Sequence, residues 1–171
     1  MKRFEDELVN QTVRAVESRS KAMLVRFDNG WTIYSHNQLY GKWMVRPAGD
    51  LPDTNRQLRL AIHNEEHWAL LYSASEIEVL RDEEVDQHPY IAKLGPELLD
   101  ESVTIGQVAD RFQDDKFRRR QLATLLLDQG FLAGLGNYLR SEILFVAGVY
   151  PTMRPTDCTD EQIEELAEAA V

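Results

Sequence analysis

Phe117–Gly148 reads FRRRQLATLLLDQGFLAGLGNYLRSEILFVAG, and its reading decides what the rest of the chain can be. Lys116, Arg118, Arg119 and Arg120 lead into an apolar run from Leu122 to Leu127. Leu122, Leu125 and Leu126 recur at helical spacing, and Phe131 and Leu132 continue the apolar surface. Gly130, Gly134 and Gly136 then offer three points where the backbone can take positive φ. Asn137 follows as the expected N-cap, and Leu139, Ile143, Leu144 and Ala147 open a second periodic run. The pattern predicts a helix, a glycine-rich double turn and a second helix. The start of that second helix would offer unsatisfied N–H groups and a positive dipole end, a setting that binds phosphate and other anions. A core helical hairpin, whose glycines merely permit a close turn, accounts for the same spacing. A lone glycine-rich turn is a weak motif and leaves both readings open.

The chain has 171 residues, enough for one domain or two small ones with a real core. It shows no apolar run that could span a membrane and no cleavable signal peptide at Met1, so the expectation is a soluble, cytoplasmic protein with no membrane partner. Cys158 stands alone, which excludes an internal disulfide and any cysteine-clustered zinc site in this stretch. The formal charge of −10 argues against a nucleic-acid partner only until its distribution is read. Residues 76–101 hold 9 acids and 2 bases, and residues 157–168 hold 6 acids and no base. The remainder carries 14 acids against 17 bases, and local clusters decide phosphate binding more than the sum does.

Thr12 to Trp68 reads as β structure. KAMLVRFD (Lys21–Asp28) and WTIYS (Trp31–Ser35) flank Asn29-Gly30, the favoured two-residue hairpin pair. Leu58, Leu60 and Ile62 alternate with polar neighbours, and Trp68–Tyr72 returns after the polar turn His63–His67. Short strands with short turns imply an antiparallel sandwich or barrel. Residues 1–9 show no period, and 75–101 read as an acidic connector broken by Pro89 and Pro96. Thr104 is expected to cap a helix reaching about Phe112, and Thr159 with Gln162 to form a capping box for a last helix from Asp160. That helix still runs at Val171 without a C-cap, as at a cut end. The expected domains are 1–98 and 99–171.

His63-Asn-Glu-Glu-His67 has neither the residue order nor the helix of a zinc-protease pattern, so an exposed polar turn is the better account. SHNQLYG (Ser35–Gly41) is more informative. Gln38, Leu39 and Tyr40 crowd into a tight link between strands. They either pack inward as an ordinary loop or stand out as a wedge that enters a base stack and fills the hole left by an extruded nucleotide. Lys21, after Arg19-Ser20, is a solvated edge lysine or an amine beside a sugar or phosphate.

Taken together, SRSKAML around Lys21, YSHNQLYGKW (Tyr34–Trp43), LLYSASEIEVL (Leu70–Leu80), HPYIAKLGPELLD (His88–Asp100) and the opening stretch resemble, in collinear order, the bacterial endonuclease VIII family of the formamidopyrimidine-DNA glycosylase superfamily. The contiguous Gln38-Leu39-Tyr40 favours the endonuclease VIII branch. The resemblance implies an α+β chain: an incomplete antiparallel β-sandwich followed by a helix-two-turn-helix domain, with a DNA cleft between them. It implies excision of oxidised pyrimidines and β,δ-elimination at the abasic site, on double-stranded DNA holding oxidised bases or abasic sites. An N-terminal proline amine attacks the sugar C1′ in that family, and a neighbouring glutamate assists. Lys21 matches the lysine that transfers a proton in β-elimination, Gln38, Leu39 and Tyr40 the void-filling residues, and Asn137 the phosphate ligand. Lys93 stands where the family more often has a DNA-contacting arginine.

The departures are as informative. The chain opens Met1-Lys2-Arg3 where the family has its proline-glutamate start, and its six prolines are internal tertiary amides without a free amine. The expectation is a chain lacking the N-terminal catalytic helix and the C-terminal zinc finger. No cofactor is expected in the chain itself, zinc being implied only for the absent finger. Lys21 and the Met1 α-amine remain as amines for covalent chemistry, and a non-catalytic DNA- or damage-binding module is the alternative function. The oligomeric state is not legible.

Overall fold

The computed structural model describes residues 4–171, so Met1, Lys2 and Arg3, including the Met1 amine, lie outside the described residues. The chain divides into two compact units, the first ending at His88 and the second running from Pro89 to Val171. The sequence reading put this boundary at 98/99. Residues before that point belong with the helices because Gly95 N–H donates to Gln129 O (2.8 Å) and Ala133 N–H to Pro96 O (2.9 Å).

The first unit opens with a helical turn, α1 (Glu5–Leu8), and continues with β1 (Val13–Arg19), β2 (Ala22–Phe27), β3 (Trp31–His36), β4 (Lys42–Pro47), β5 (Leu58–His63), β6 (His67–Tyr72) and β7 (Glu76–Arg81). All pairings are antiparallel, in a four-stranded sheet of order β1-β2-β3-β7 and a three-stranded sheet of order β4-β6-β5. Val25, Phe27 and Ile33 from the first sheet meet Leu60 and Leu71 from the second in one core, with Trp43, Ile62, Ile77 and Val79 packed around it. This is a β-sandwich. Alternation supplies its inner face: in β7 Ile77 and Val79 point inward between exposed or half-exposed neighbours.

Two expectations change here. Phe27 and Trp31 are joined by three residues, Asp28-Asn29-Gly30, and positive φ falls on Gly30 (81°) and not on Asn29. Gly30 N–H returns to Phe27 O, so the link is a turn followed by a left-handed glycine, not a two-residue hairpin. Residues 76–81, read as acidic connector, are strand β7. Its glutamates sit on the solvent side and disguised a half-buried strand as a charge run. Asp82, just after it, accepts from Arg14, Arg26 and Thr32, which ties β1, β2 and β3 together.

The second unit holds α2 (Ile105–Gln113), α3 (Leu122–Leu125), α4 (Asn137–Val146) and α5 (Asp160–Ala170). Val108, Phe112, Phe117, Leu122, Leu125, Leu126, Phe131, Leu132, Ile143, Leu144, Ile163 and Leu166 share its core. Phe131 meets Phe112 and Phe117 edge-on at 4.9 and 5.0 Å, each such pair contributing about 0.5–1.5 kcal/mol beyond burial. The capping boxes at Thr104/Gln107 and Thr159/Gln162 form as read. The first helix of the opening stretch does not extend through Leu127: α3 is one turn. Leu122 and Ala123 give their N–H groups to the carbonyls of Met153 and Pro151, and the Asp128 carboxylate takes the Gly130 N–H. The combination of two antiparallel sheets and a helical unit makes the chain α+β.

Candidate nucleic-acid interface

Register brings Lys21 and the 37–41 loop to one end of the four-stranded sheet. Arg19 pairs with Ala22 across the two-residue turn Ser20-Lys21, Ala22 pairs with His36, and His36 pairs with Glu76. Lys21 is exposed, yet partial burial of its surroundings pushes its ammonium below the ordinary lysine value. Gly41 N–H donates to Asn37 O at 2.8 Å, closing a tight turn. A Cβ on Gly41 would sit 2.6 Å from the Asn37 Cα and O, so the closure depends on glycine.

The turn pushes its tip outward. Leu39 is 87% exposed and Tyr40 71%, which removes the inward-packing reading of these two residues. Their backbone is nevertheless held from both sides. Gln38 takes φ 49° and donates from Nε2 to Glu76 Oε1 (2.7 Å), and Arg56 Nη1 donates to Tyr40 O (2.5 Å). Two large side chains thus stand in solvent on a fixed backbone, at no gain in burial. Gln38 is attached to Glu76 as well as exposed, so any reach toward a ligand exchanges that bond.

Lys93 and Asn137 lie in the second unit. Lys93 ends a 3-10 turn (Ile91–Lys93) and is exposed, with its carbonyl against Gly130. Asn137 is not the N-cap. Gly136 holds that place, with φ −128° and ψ −177°, and Asn137 is the first helical residue. No side chain caps α4, whose first intrahelical bond is Arg140 N–H to Gly136 O. The Asn137, Tyr138 and Leu139 side chains are exposed, Tyr138 by 90%. Of the three glycines singled out, Gly134 alone takes positive φ (97°).

Sequence reading missed Gln129. Its Nε2 donates to Leu135 O (3.0 Å) and Leu127 O (3.1 Å), and its Oε1 accepts the Gly134 N–H (3.0 Å). One amide therefore fixes the turn that delivers α4. Asp128 is braced by Arg120 Nη1 (2.5 Å) and the Gly130 N–H (2.8 Å). Burial opposes its ionisation, but the Arg120 bond, the Gly130 bond and the nearby positive charges together hold its carboxyl below the ordinary range. The available signal was a polar Asp-Gln pair inside an otherwise apolar run. Among the described residues no group of His, Cys, Asp and Glu side chains is placed to hold a metal, and no helix is long and apolar enough to cross a membrane.

The chain carries two family signatures: residues 1–75 match the formamidopyrimidine-DNA glycosylase N-terminal domain and residues 94–171 the formamidopyrimidine-DNA glycosylase H2TH domain. Endonuclease 8 of Pectobacterium carotovorum subsp. carotovorum (strain PC1) is 48% identical over 169 residues, and Endonuclease 8 of Shigella flexneri 47%. Each alignment covers 99% of this chain and 64% of the relative, so the chain spans less than two-thirds of the length of the relatives it matches. In fold, the chain is similar to Lactococcus lactis formamidopyrimidine-DNA glycosylase non-covalently bound to DNA containing an AP site, with TM-score 0.84, 20% identity, and coverage of 99% of this chain and 64% of that one. This chain is an endonuclease VIII-like member of the formamidopyrimidine-DNA glycosylase superfamily.

Proposed function

We propose that the chain acts in base-excision DNA repair, as the lesion-gripping part of a DNA glycosylase that removes oxidised pyrimidines and cleaves the abasic site by β,δ-elimination. Its partner is double-stranded DNA containing an oxidised base or an abasic site, in the bacterial cytoplasm and nucleoid. The observation that carries this reading is the 37–41 turn: Leu39 and Tyr40 are held out in water on a braced backbone, at the same end of the sheet as Lys21. An apolar tip of that kind suits the space left when a nucleotide leaves the stack. Gln38 would hydrogen-bond beside it.

The other roles follow from chemistry. In β-elimination a protein amine condenses with the C1′ aldehyde of the abasic sugar and loses water. The imine makes the C2′ proton acidic, and removing that proton expels the 3′ phosphate as the C3′–O bond breaks. Lys21 would move protons in that sequence. Its lowered pKa brings neutral amine closer to working pH, and one well-placed acid/base group contributes roughly 10²–10⁴ in rate. The open start of α4, with Asn137 beside it, would bind a backbone phosphate, and Lys93 a second one. This chemistry uses amines and carboxylates and draws on no cofactor within the chain.

The test compares intact and abasic duplexes. Leu39→Ala with Tyr40→Ala should weaken abasic-duplex binding about tenfold while intact duplex loses far less, with folding stability unchanged within about 0.5 kcal/mol. Equal losses on both duplexes would remove the wedge role. Borohydride trapping on the same abasic duplex separates enzyme from module: a covalent adduct assigns lyase chemistry to this chain, and its loss or survival in Lys21→Ala distinguishes Lys21 from the Met1 amine as the nucleophile. Selective binding with no adduct assigns it to a damage-binding module.

A further inference from the structure

The second unit contains an open cleft of about 580 Å³ lined by the 92–96 backbone, Arg111, Lys116, Phe117, Asp128 and Gly130. Its charges divide into two kinds. Arg111 is spent on the protein: Nε donates to Phe131 O and Nη2 to Gly130 O, both at 2.8 Å. Asp128 is neutralised by Arg120 at 2.5 Å and by the Gly130 N–H. Lys93 and Lys116 remain. Both are exposed, and neither forms an ion pair among the described residues. The Lys116 ammonium lies 5.1 Å over the ring of Phe117, which is itself buried, so its stem covers an apolar part of the cleft. Lys116 adds its charge to the field that keeps Asp128 ionised, but Arg120 and the Gly130 N–H hold that carboxylate directly, so the lining carries more positive than negative charge and favours an anion. The volume falls within the range of small-molecule sites and exceeds what a lone ion fills.

We propose that Lys116, with Lys93, receives a phosphodiester of the nucleic-acid backbone in this cleft, a phosphate position separate from the start of α4. The inference rests on the DNA-binding reading above and adds Lys116 to it. The two positions share one framework. Gly95, in the cleft wall, donates to the Gln129 carbonyl, while the Gln129 side chain holds Gly134 and Leu135 ahead of α4. A Cβ on Gly95 would lie 2.5 Å from Phe131 O, so wall and turn are in backbone contact. Such coupling suits a polymer that touches both positions at once. A free anion would need only one.

The test is the salt dependence of duplex binding by the whole chain and its Lys116→Ala, Lys116→Arg and Asn137→Ala variants. Lys116→Ala should reduce the slope of log K against log salt by about 0.9 and weaken intact and abasic duplexes alike, by roughly threefold to tenfold. Lys116→Arg should retain both slope and affinity. If Asn137→Ala lowers the slope and Lys116→Ala does not, the inference falls and the DNA-binding reading stands. If the unaltered chain binds no duplex, both fall. Inorganic phosphate, titrated while the Gly95 and Gly130 amide signals are followed, separates the sources. Shifts produced by duplex and not by millimolar phosphate support the polymer backbone. Saturation by phosphate alone, with the duplex slope of Lys116→Ala unchanged, overturns the proposal.

Discussion

Helices α2 and α5 begin closed, whereas α4 begins open. At Thr104 and Thr159 the hydroxyl accepts the N–H three residues on, and Gln107 and Gln162 reach back to the cap N–H. At α4 the cap position is Gly136, which has no side chain to offer, and the first-turn donors are left for something outside the protein. A closed start maximises helix stability, since a Thr cap is worth about 1 kcal/mol over Ala. An open start forgoes that and gains an anion seat. The difference separates two helices whose starts the protein itself closes from one whose start is free for the proposed phosphate.

The largest break in this contrast comes from the residue that builds the open start. Gln129→Leu removes three hydrogen bonds at once and leaves the buried Leu135 carbonyl without this donor. Stability should fall by about 2–3 kcal/mol, read as a denaturation midpoint, and duplex affinity should fall with it. Full affinity in a destabilised variant would show that the turn keeps its shape without Gln129. This residue also marks the limit of what the sequence discloses. Cap residues and strand alternation act over three or four positions, so Thr104, Thr159, β2, β3, β5 and β6 were legible. Gln129 acts on Gly134 and Leu135, and its carbonyl on Gly95, through a turn whose shape no local period encodes. The same limit explains two misreadings: α3 ends where the Asp128 carboxylate takes the Gly130 N–H and the chain turns, and its start is fixed by the Met153 and Pro151 carbonyls, far along the chain. β7 was hidden because its pairing with β3 is long-range and its outward residues are acidic. At the candidate interface, the 37–41 loop and Lys21 were visible as residue types, but their convergence on one sheet end required the register.

A smaller and cleaner change closes the open start. Gly136 has extended backbone that any residue adopts, so Gly136→Asp can place a carboxylate over the first-turn N–H groups of α4. The variant should gain a few tenths of a kcal/mol in stability and lose at least about tenfold in duplex affinity, because the cap occupies the donors and repels phosphate. Stability and binding would move in opposite directions. Affinity unchanged in a capped variant would mean that the α4 start does not carry phosphate.

The smallest effect is the reciprocal one, and it is the control that gives the comparison its meaning. Thr159→Ala opens the start of α5 and exposes donors as numerous as those of α4. Stability should drop by about 1 kcal/mol, with duplex affinity unaltered in both strength and salt slope. The reason is local: Asp160 and Glu161 fill the first turn of α5, and an anion approaching that end meets two carboxylates. The first turn of α4 carries no acid, and Asn137 and Tyr138 stand exposed there. The Thr159→Ala result would then show that a free helix start is insufficient by itself and that the turn must also be free of its own negative charge. Should Thr159→Ala raise duplex affinity, exposed N–H groups alone would be enough, and the distinction between the two helix starts would reduce to the presence or absence of a cap.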